Sequence, residues 1–89
     1  MPYIEQKERS DWMQSAGLEK LLSYIKRTTP PGVLNFIMTK ILLKALEQNP
    51  NYTRFNEIIG VLECCKQEIY RREVALYEDQ KIEENGDVY

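Results

Sequence analysis

Histidine is absent from this chain of 89 residues. Without it the chain lacks the commonest general base and the commonest transition-metal ligand of proteins. A Ser-His-Asp or Cys-His catalytic arrangement cannot be built from these residues. We therefore expect a protein that binds and does not catalyse, with no metal site and no cofactor.

Long apolar runs, a basic surplus and spaced cysteines are also missing. No run is long enough to cross a bilayer, and no signal peptide is recognisable. The 12 basic residues nearly cancel the 14 acidic ones, which disfavours long nucleic acid as a partner. Cys64 and Cys65 are adjacent, so in a helix they point apart and form no CxxC motif. These features predict a cytoplasmic protein with reduced cysteines.

Two proline-containing turns, at residues 28–32 and 49–51, divide the chain into helical segments without strand alternation. Gly17 weakens the first segment, and we interpret it as the mark of a close helix crossing. We predict one all-α domain over residues 1–89, made of three antiparallel helices with a long last one: about Glu5 to Lys26, from Pro30 or Pro31 onwards, and Tyr52 to Glu84.

The second predicted helix is apolar around most of its circumference. Such a helix is buried at the centre of a fold or covered by a second subunit. A chain of this length can hardly bury it alone. We therefore predict a homo-oligomer whose interface includes Phe36, Ile37, Met38, Ile41 and Leu42.

Polar side chains follow one face of the third predicted helix, flanked by tyrosines. They form either a solvated face with local pairs or the border of a groove. Gly60 favours the groove, because glycine is a poor residue for a solvated helix face. Asn35 and Thr39 present a similar choice between a local hydrogen bond to the carbonyl of Asn35 and a polar spot facing a ligand. The candidate ligand-binding residues are Asn35, Thr39, Tyr52, Asn56, Gly60, Glu63, Gln67, Arg71, Arg72, Tyr77, Asp87 and Tyr89.

The stretches "PGVLNFIMTK", "NYTRFNEIIGVLECCKQEIYRREVALYEDQKIEENGDVY" and "MPYI" carry a family resemblance. They resemble small proteins of phages, prophages and bacteria whose function is unknown. The resemblance is dense after Pro31 and departs modestly at Phe36, where the family has Tyr, and at Met38, where it has Ile. It implies a phage-type context in a bacterial host cytoplasm, and it indicates that "NGDVY" belongs to the folded unit.

The Asn-Gly pair in "NGDVY" predicts a left-handed end to the third helix, after which Asp87–Tyr89 folds back. We expect this segment to be ordered. It would dock beside Pro2–Ile4 or onto a neighbouring subunit. Arg9, Arg71 or Arg72 could then hold Asp87 or the terminal carboxylate.

Three functions are compatible with these patterns. The preferred one is a non-catalytic binding protein that sequesters a small nucleotide-like ligand in a groove of a homo-oligomer. Tyrosine faces stack on bases, Arg71 or Arg72 can hold a phosphate, and Asn35 or Asn56 can read a base edge.

The first alternative is a protein-interaction module that inhibits or modulates a host protein. The second is a Mg-dependent nucleotide hydrolase, for which two acidic pairs have the right spacing. These pairs are Glu5-x-x-Glu8 and Glu84-x-x-Asp87.

Overall fold

The structure is a computed structural model that describes residues 3–89. Over these residues all regular structure is helical, so the all-α prediction is confirmed. None of the helices described is both long enough and apolar enough to cross a membrane. The elements are α1 (Gln6–Gln14), α2 (Leu18–Tyr24), α3 (Pro31–Ala45), α4 (Tyr52–Ile69), a π-helical turn (Tyr70–Val74) and α5 (Ala75–Asn85).

The last three elements form one continuous helix over residues 52–85, here called the C-terminal helix. Ile69, Val74 and Ala75 all keep right-handed helical dihedral angles, so the backbone does not break at either junction. The predicted long third helix, Tyr52 to Glu84, is therefore confirmed.

The described chain divides into two compact units. The N-terminal unit, residues 3–51, holds α1, α2 and α3, and α1 contacts α2 within it. The C-terminal unit, Tyr52–Tyr89, consists of the C-terminal helix and the residues after it.

The predicted first helix, Glu5 to Lys26, is wrong because the structure has two helices there. With α3 and the C-terminal helix, residues 3–89 contain four helices. The amides of Ser15 and Ala16 both donate to the carbonyl of Asp11, at 2.8 and 3.1 Å, and close α1. Gly17 follows with φ 85° and ψ 10°, a left-handed conformation that costs other residues about 1–2 kcal/mol. Apart from its two chain neighbours, no described heavy atom lies within 4 Å of the position that its Cβ would occupy. Gly17 is therefore a helix break and not a close crossing.

Helix α3 begins where the sequence predicts. Pro30 is extended, with φ −63° and ψ 149°, and Pro31 occupies the first helical position. At that position a residue needs no N–H, which suits proline. The amides of Val33 and Leu34 then donate to the carbonyl of Pro30 and start the helix.

Few side chains are buried among the described residues. Ile58, 7% exposed, is the only apolar side chain there that is buried. Helix α3 buries no side chain completely. Of its five predicted interface residues, Ile37 and Leu42 are half-buried, whereas the other three are exposed: Phe36, Met38 and Ile41.

The C-terminal helix ends in a turn that depends on glycine. The amide of Gly86 donates to the carbonyl of Ile82 at 2.8 Å. Gly86 itself has φ 87° and ψ 152°, a region that is essentially restricted to glycine. The predicted glycine turn is present, but the predicted left-handed helical conformation is wrong, because a ψ of 152° lies far from the value of about 47° that this conformation has.

The tail, residues 86–89, has local order, and its two apolar side chains are exposed. The amide of Tyr89 donates to Asp87 Oδ1 at 2.9 Å, which is an Asx turn. Val88 is 93% exposed, and Tyr89 is fully exposed. The predicted pairing with Pro2–Ile4 involves Pro2, which lies outside the described residues.

Candidate functional site

The candidate residues on the C-terminal helix are spread along its axis. Tyr52 and Tyr77 are separated by about 37 Å at 1.5 Å per residue. All of these side chains are exposed, and Gly60 is half-buried. A small ligand cannot reach all of them on one chain, so within a chain they form separate local groups.

The first group surrounds Glu63. Its Oε1 accepts hydrogen bonds from Gln67 Nε2 and from Lys66 Nζ, both at 3.2 Å. The hydrogen bond from Gln67 is the main cause that lowers the pKa of Glu63, and the bond with Lys66 and its charge add to it. This is the local pairing expected of a solvated helix face.

The second group contains the two candidate arginines. Glu68 Oε2 accepts from Arg71 Nη2 at 3.0 Å and from Arg72 Nε at 3.1 Å. The side chain of Glu68 is only 21% exposed, while both guanidinium groups are largely exposed. Two positive charges therefore share one carboxylate. Glu68 was not predicted, although its spacing of three and four residues from the arginines is a readable signal.

The two tyrosines that flank the polar face contact charged groups. Tyr70 Oη donates a hydrogen bond to Glu78 Oε1 at 2.5 Å, spanning the π-helical turn. This bond, followed by the charge of Glu78, raises the pKa of Tyr70. Lys81 Nζ lies 5.4 Å from the centre of the Tyr77 ring, which is a cation–π contact.

Asn35 and Thr39 interact with each other on α3. Thr39 Oγ1 donates to Asn35 Oδ1 at 3.3 Å, and both side chains are exposed. The local hydrogen bond predicted for this pair is thus present. Its acceptor is the side-chain oxygen of Asn35 and not the backbone carbonyl.

Gly60 has open space around it within this chain. Apart from the backbone of its own helix turns and its two chain neighbours, no described heavy atom lies within 4 Å of the position that a Cβ would take. The space at Gly60 does not by itself show a neighbour, and the groove stays a prediction.

The tail lines an open depression together with the last turns of α5. Its volume is about 340 Å³, and Asp87 and Tyr89 are among the lining residues, with Glu78, Lys81 and Ile82. This places two candidate ligand-binding residues beside each other, at the far end of the helix from Tyr52.

The acidic pairs of the hydrolase alternative lie at helix ends. Glu5 precedes α1 and Glu8 is in its first turn, whereas Glu84 is inside α5 and Asp87 follows it. Over residues 3–89, no three His, Cys, Asp or Glu side chains are grouped so that they could hold a metal ion. Cys64 and Cys65 are free and half-buried.

Comparison with known proteins gives one family. No curated protein and no solved structure matches the chain. The sequence profile of a family described as "Domain of unknown function (DUF6899)" matches residues 1–88. The chain therefore belongs to the DUF6899 family.

Proposed function

We propose that this protein is a non-catalytic interaction module that assembles with copies of itself through α3. The observation that carries the proposal is the exposure of apolar side chains on α3, a helix that buries none of its residues completely. Exposed patches of this kind mark protein–protein interfaces. The exposed polar face of the C-terminal helix favours this function over ligand capture by a single chain.

One face of α3 is apolar and uncharged. It comprises Leu34, Met38 and Ile41, at spacings of four and three residues, and we call it the Ile41 face. Ile41 is 53% exposed, and the other two are exposed as well. Spacings of three and four place the side chains along one stripe, as in helix pairs that pack lengthwise. Because the stripe carries no charge, it can meet its own copy across a two-fold axis without repulsion.

Self-assembly would also bring together candidate ligand-binding residues that lie far apart on one chain. Nucleotide binding, the second candidate function, is favoured by the π-helical turn, where Tyr70, Arg71 and Arg72 follow one another. A tyrosine face can stack on a base, and a guanidinium can hold a phosphate. In an oligomer, such groups from several chains could face one ligand. The resemblance to phage and prophage proteins makes a host protein or a host nucleotide the target to test.

The proposal predicts that a charge on the Ile41 face disrupts assembly. Ile41→Asp should shift the mass measured by light scattering towards that of one chain, because a buried, unpaired carboxylate is costly. Tyr24→Asp is the matched control, since Tyr24 is similarly exposed but lies on α2. If both variants keep the mass of the parent, or both lose it, assembly does not run through the Ile41 face.

A further inference from the structure

Charge is distributed unevenly along the chain. Residues 20–46 contain five basic side chains and no acidic one: Lys20, Lys26, Arg27, Lys40 and Lys44. Residues 78–89 contain one basic side chain, Lys81, and five acidic ones: Glu78, Asp79, Glu83, Glu84 and Asp87. The two segments are therefore electrostatically complementary.

The basic segment includes a second exposed face of α3, here called the Phe36 face. Val33, Phe36, Lys40 and Leu43 follow one another on it at spacings of three and four residues, and Lys44 lies four residues after Lys40. Phe36 is 60% exposed, and Lys40 Nζ lies 5.7 Å from the centre of its ring. Lys44 contacts Glu47 at 2.9 Å in an exposed pair, which is easily exchanged for another partner. The face thus combines apolar area with two positive charges.

The acidic segment presents the opposite combination. Ile82, Val88 and Tyr89 are exposed apolar side chains, and Glu83, Glu84 and Asp87 lie among them. The glycine turn and the Asx turn give the tail a defined local course. Residues 82–89 therefore offer apolar groups and negative charges in one short stretch.

The length of the chain bears on which copy the acidic segment can reach. The C-terminal helix is about 50 Å long, and the tail can turn back by about 14 Å. Reaching Phe36 in the same chain would require residues 46–51 to be fully stretched. Gln48 and Asn49 instead have left-handed dihedral angles, with φ of 64° and 61°. A second copy of the chain is not subject to this limit of length.

We propose that residues 82–89 of one copy dock on the Phe36 face of a second copy. Val88 and Tyr89 would cover Phe36 and Leu43, and the acidic side chains would face Lys40 and Lys44. The partner of this surface is thus a second copy of the chain. This inference rests on the proposed self-assembly.

A charge-swap experiment on the full chain tests this contact. Two double variants are made, one on the face and one on the acidic segment: Lys40→Glu with Lys44→Glu, and Glu83→Lys with Glu84→Lys. Each alone should raise the dissociation constant of assembly at least tenfold, because like charges then meet. An equimolar mixture should regain the affinity of the parent, since each altered surface then finds a complementary one.

A third variant removes the apolar part of the contact. Val88→Ser with Tyr89→Ser lies outside every helix and alters side chains that this chain leaves exposed, so its helix content by circular dichroism should match the parent. It should also weaken assembly, and added salt should weaken the assembly of the parent.

Each outcome bears on one of the two proposals. A parent chain that stays monomeric overturns the proposed self-assembly and this contact with it. If the parent assembles but the tail variant has the same affinity, the contact alone is overturned. The same holds if the parent assembles but the mixture fails to regain the affinity of the parent. If the affinity is restored only when all four charge changes are in one chain, the contact lies within that chain. This outcome would also overturn the inference.

Discussion

At the scale of single residues, Gly17 separates α1 from α2 through its backbone conformation. Gly17→Ala should lower the free energy of unfolding by about 1 kcal/mol, because alanine is strained at φ 85°. Gly32→Ala is the control, since Gly32 lies in the first turn of α3 with the same open surroundings and without a positive φ. It should leave stability unchanged or raise it by up to about 1 kcal/mol. Urea denaturation measures both, and equal losses would contradict this role of Gly17.

A substitution at Gly60 distinguishes the effect of helix propensity from the effect of a neighbouring molecule that approaches closely. Because its surroundings are open in this chain, Gly60→Ala should raise the free energy of unfolding by about 0.5–1 kcal/mol. Thermal denaturation at a concentration where the protein is dissociated measures this gain. If the gain turns into a loss only in the assembled protein, another molecule approaches Gly60, as the predicted groove requires. A loss in the dissociated chain would contradict the open site.

Glu63 gives a pH-dependent prediction. Its pKa is lowered from 4.5, so its contribution to stability is present above that pH and is lost as the pH falls through the lowered pKa. Gln67→Ala removes the main cause and should raise the pKa of Glu63 towards 4.5, as followed by NMR of its carboxyl carbon. Gln80→Ala, about 25 Å further along the C-terminal helix, should leave that pKa unchanged. Equal pKa values in the parent and Gln67→Ala would exclude the hydrogen bond in solution.

At the scale of helices, the π-helical turn is bridged by the hydrogen bond from Tyr70 to Glu78. Because this bond raises the pKa of Tyr70, its contribution to stability is present below pH 10 and is lost as the pH rises through the raised pKa. Glu78→Gln removes the charge and should bring the Tyr70 pKa down towards its ordinary value. Titration of the Tyr70 ring by NMR checks this, with Glu84→Gln as the control. A Tyr70 pKa that does not respond to Glu78→Gln would show that the bridge is absent in solution.

The helix ends show which parts of this fold the sequence could predict. Pro31 and Gly86 sit where backbone restrictions leave few alternatives, so the start of α3 and the end of the C-terminal helix were predictable. The break at Gly17 was missed because a glycine inside a helix costs only about 1 kcal/mol and often leaves it intact. The π-helical turn was missed because it differs from an α-helix only in its hydrogen-bond spacing, which leaves no clear mark in the sequence.

The candidate site was predictable only in part, for a similar reason. Helical spacing places Glu63 and Gln67, or Glu68 and Arg71, on the same side of a helix. Spacing alone does not choose between equally spaced partners: Gln67 is four residues from both Glu63 and Arg71, and it donates to Glu63. Whether such groups also meet a ligand depends on surfaces beyond one helix, which the periodicity of a single chain does not describe.

At the scale of the whole molecule, the proposed self-assembly requires a second copy of the chain. The Ile41 face and the Phe36 face leave α3 exposed on two sides, and Val88 and Tyr89 are also exposed. Fully burying one large apolar side chain is worth about 1.5–3 kcal/mol, so partial burial of several could offset the entropy lost on association.

Sedimentation velocity of the unaltered chain from about 1 to 100 μM measures self-assembly itself, because assemblies with Kd values in this range lose or gain chains as concentration changes. Self-assembly predicts a species of at least twice the 10.5 kDa of one chain, whose share grows with concentration. A single species of 10.5 kDa over the whole range would contradict it.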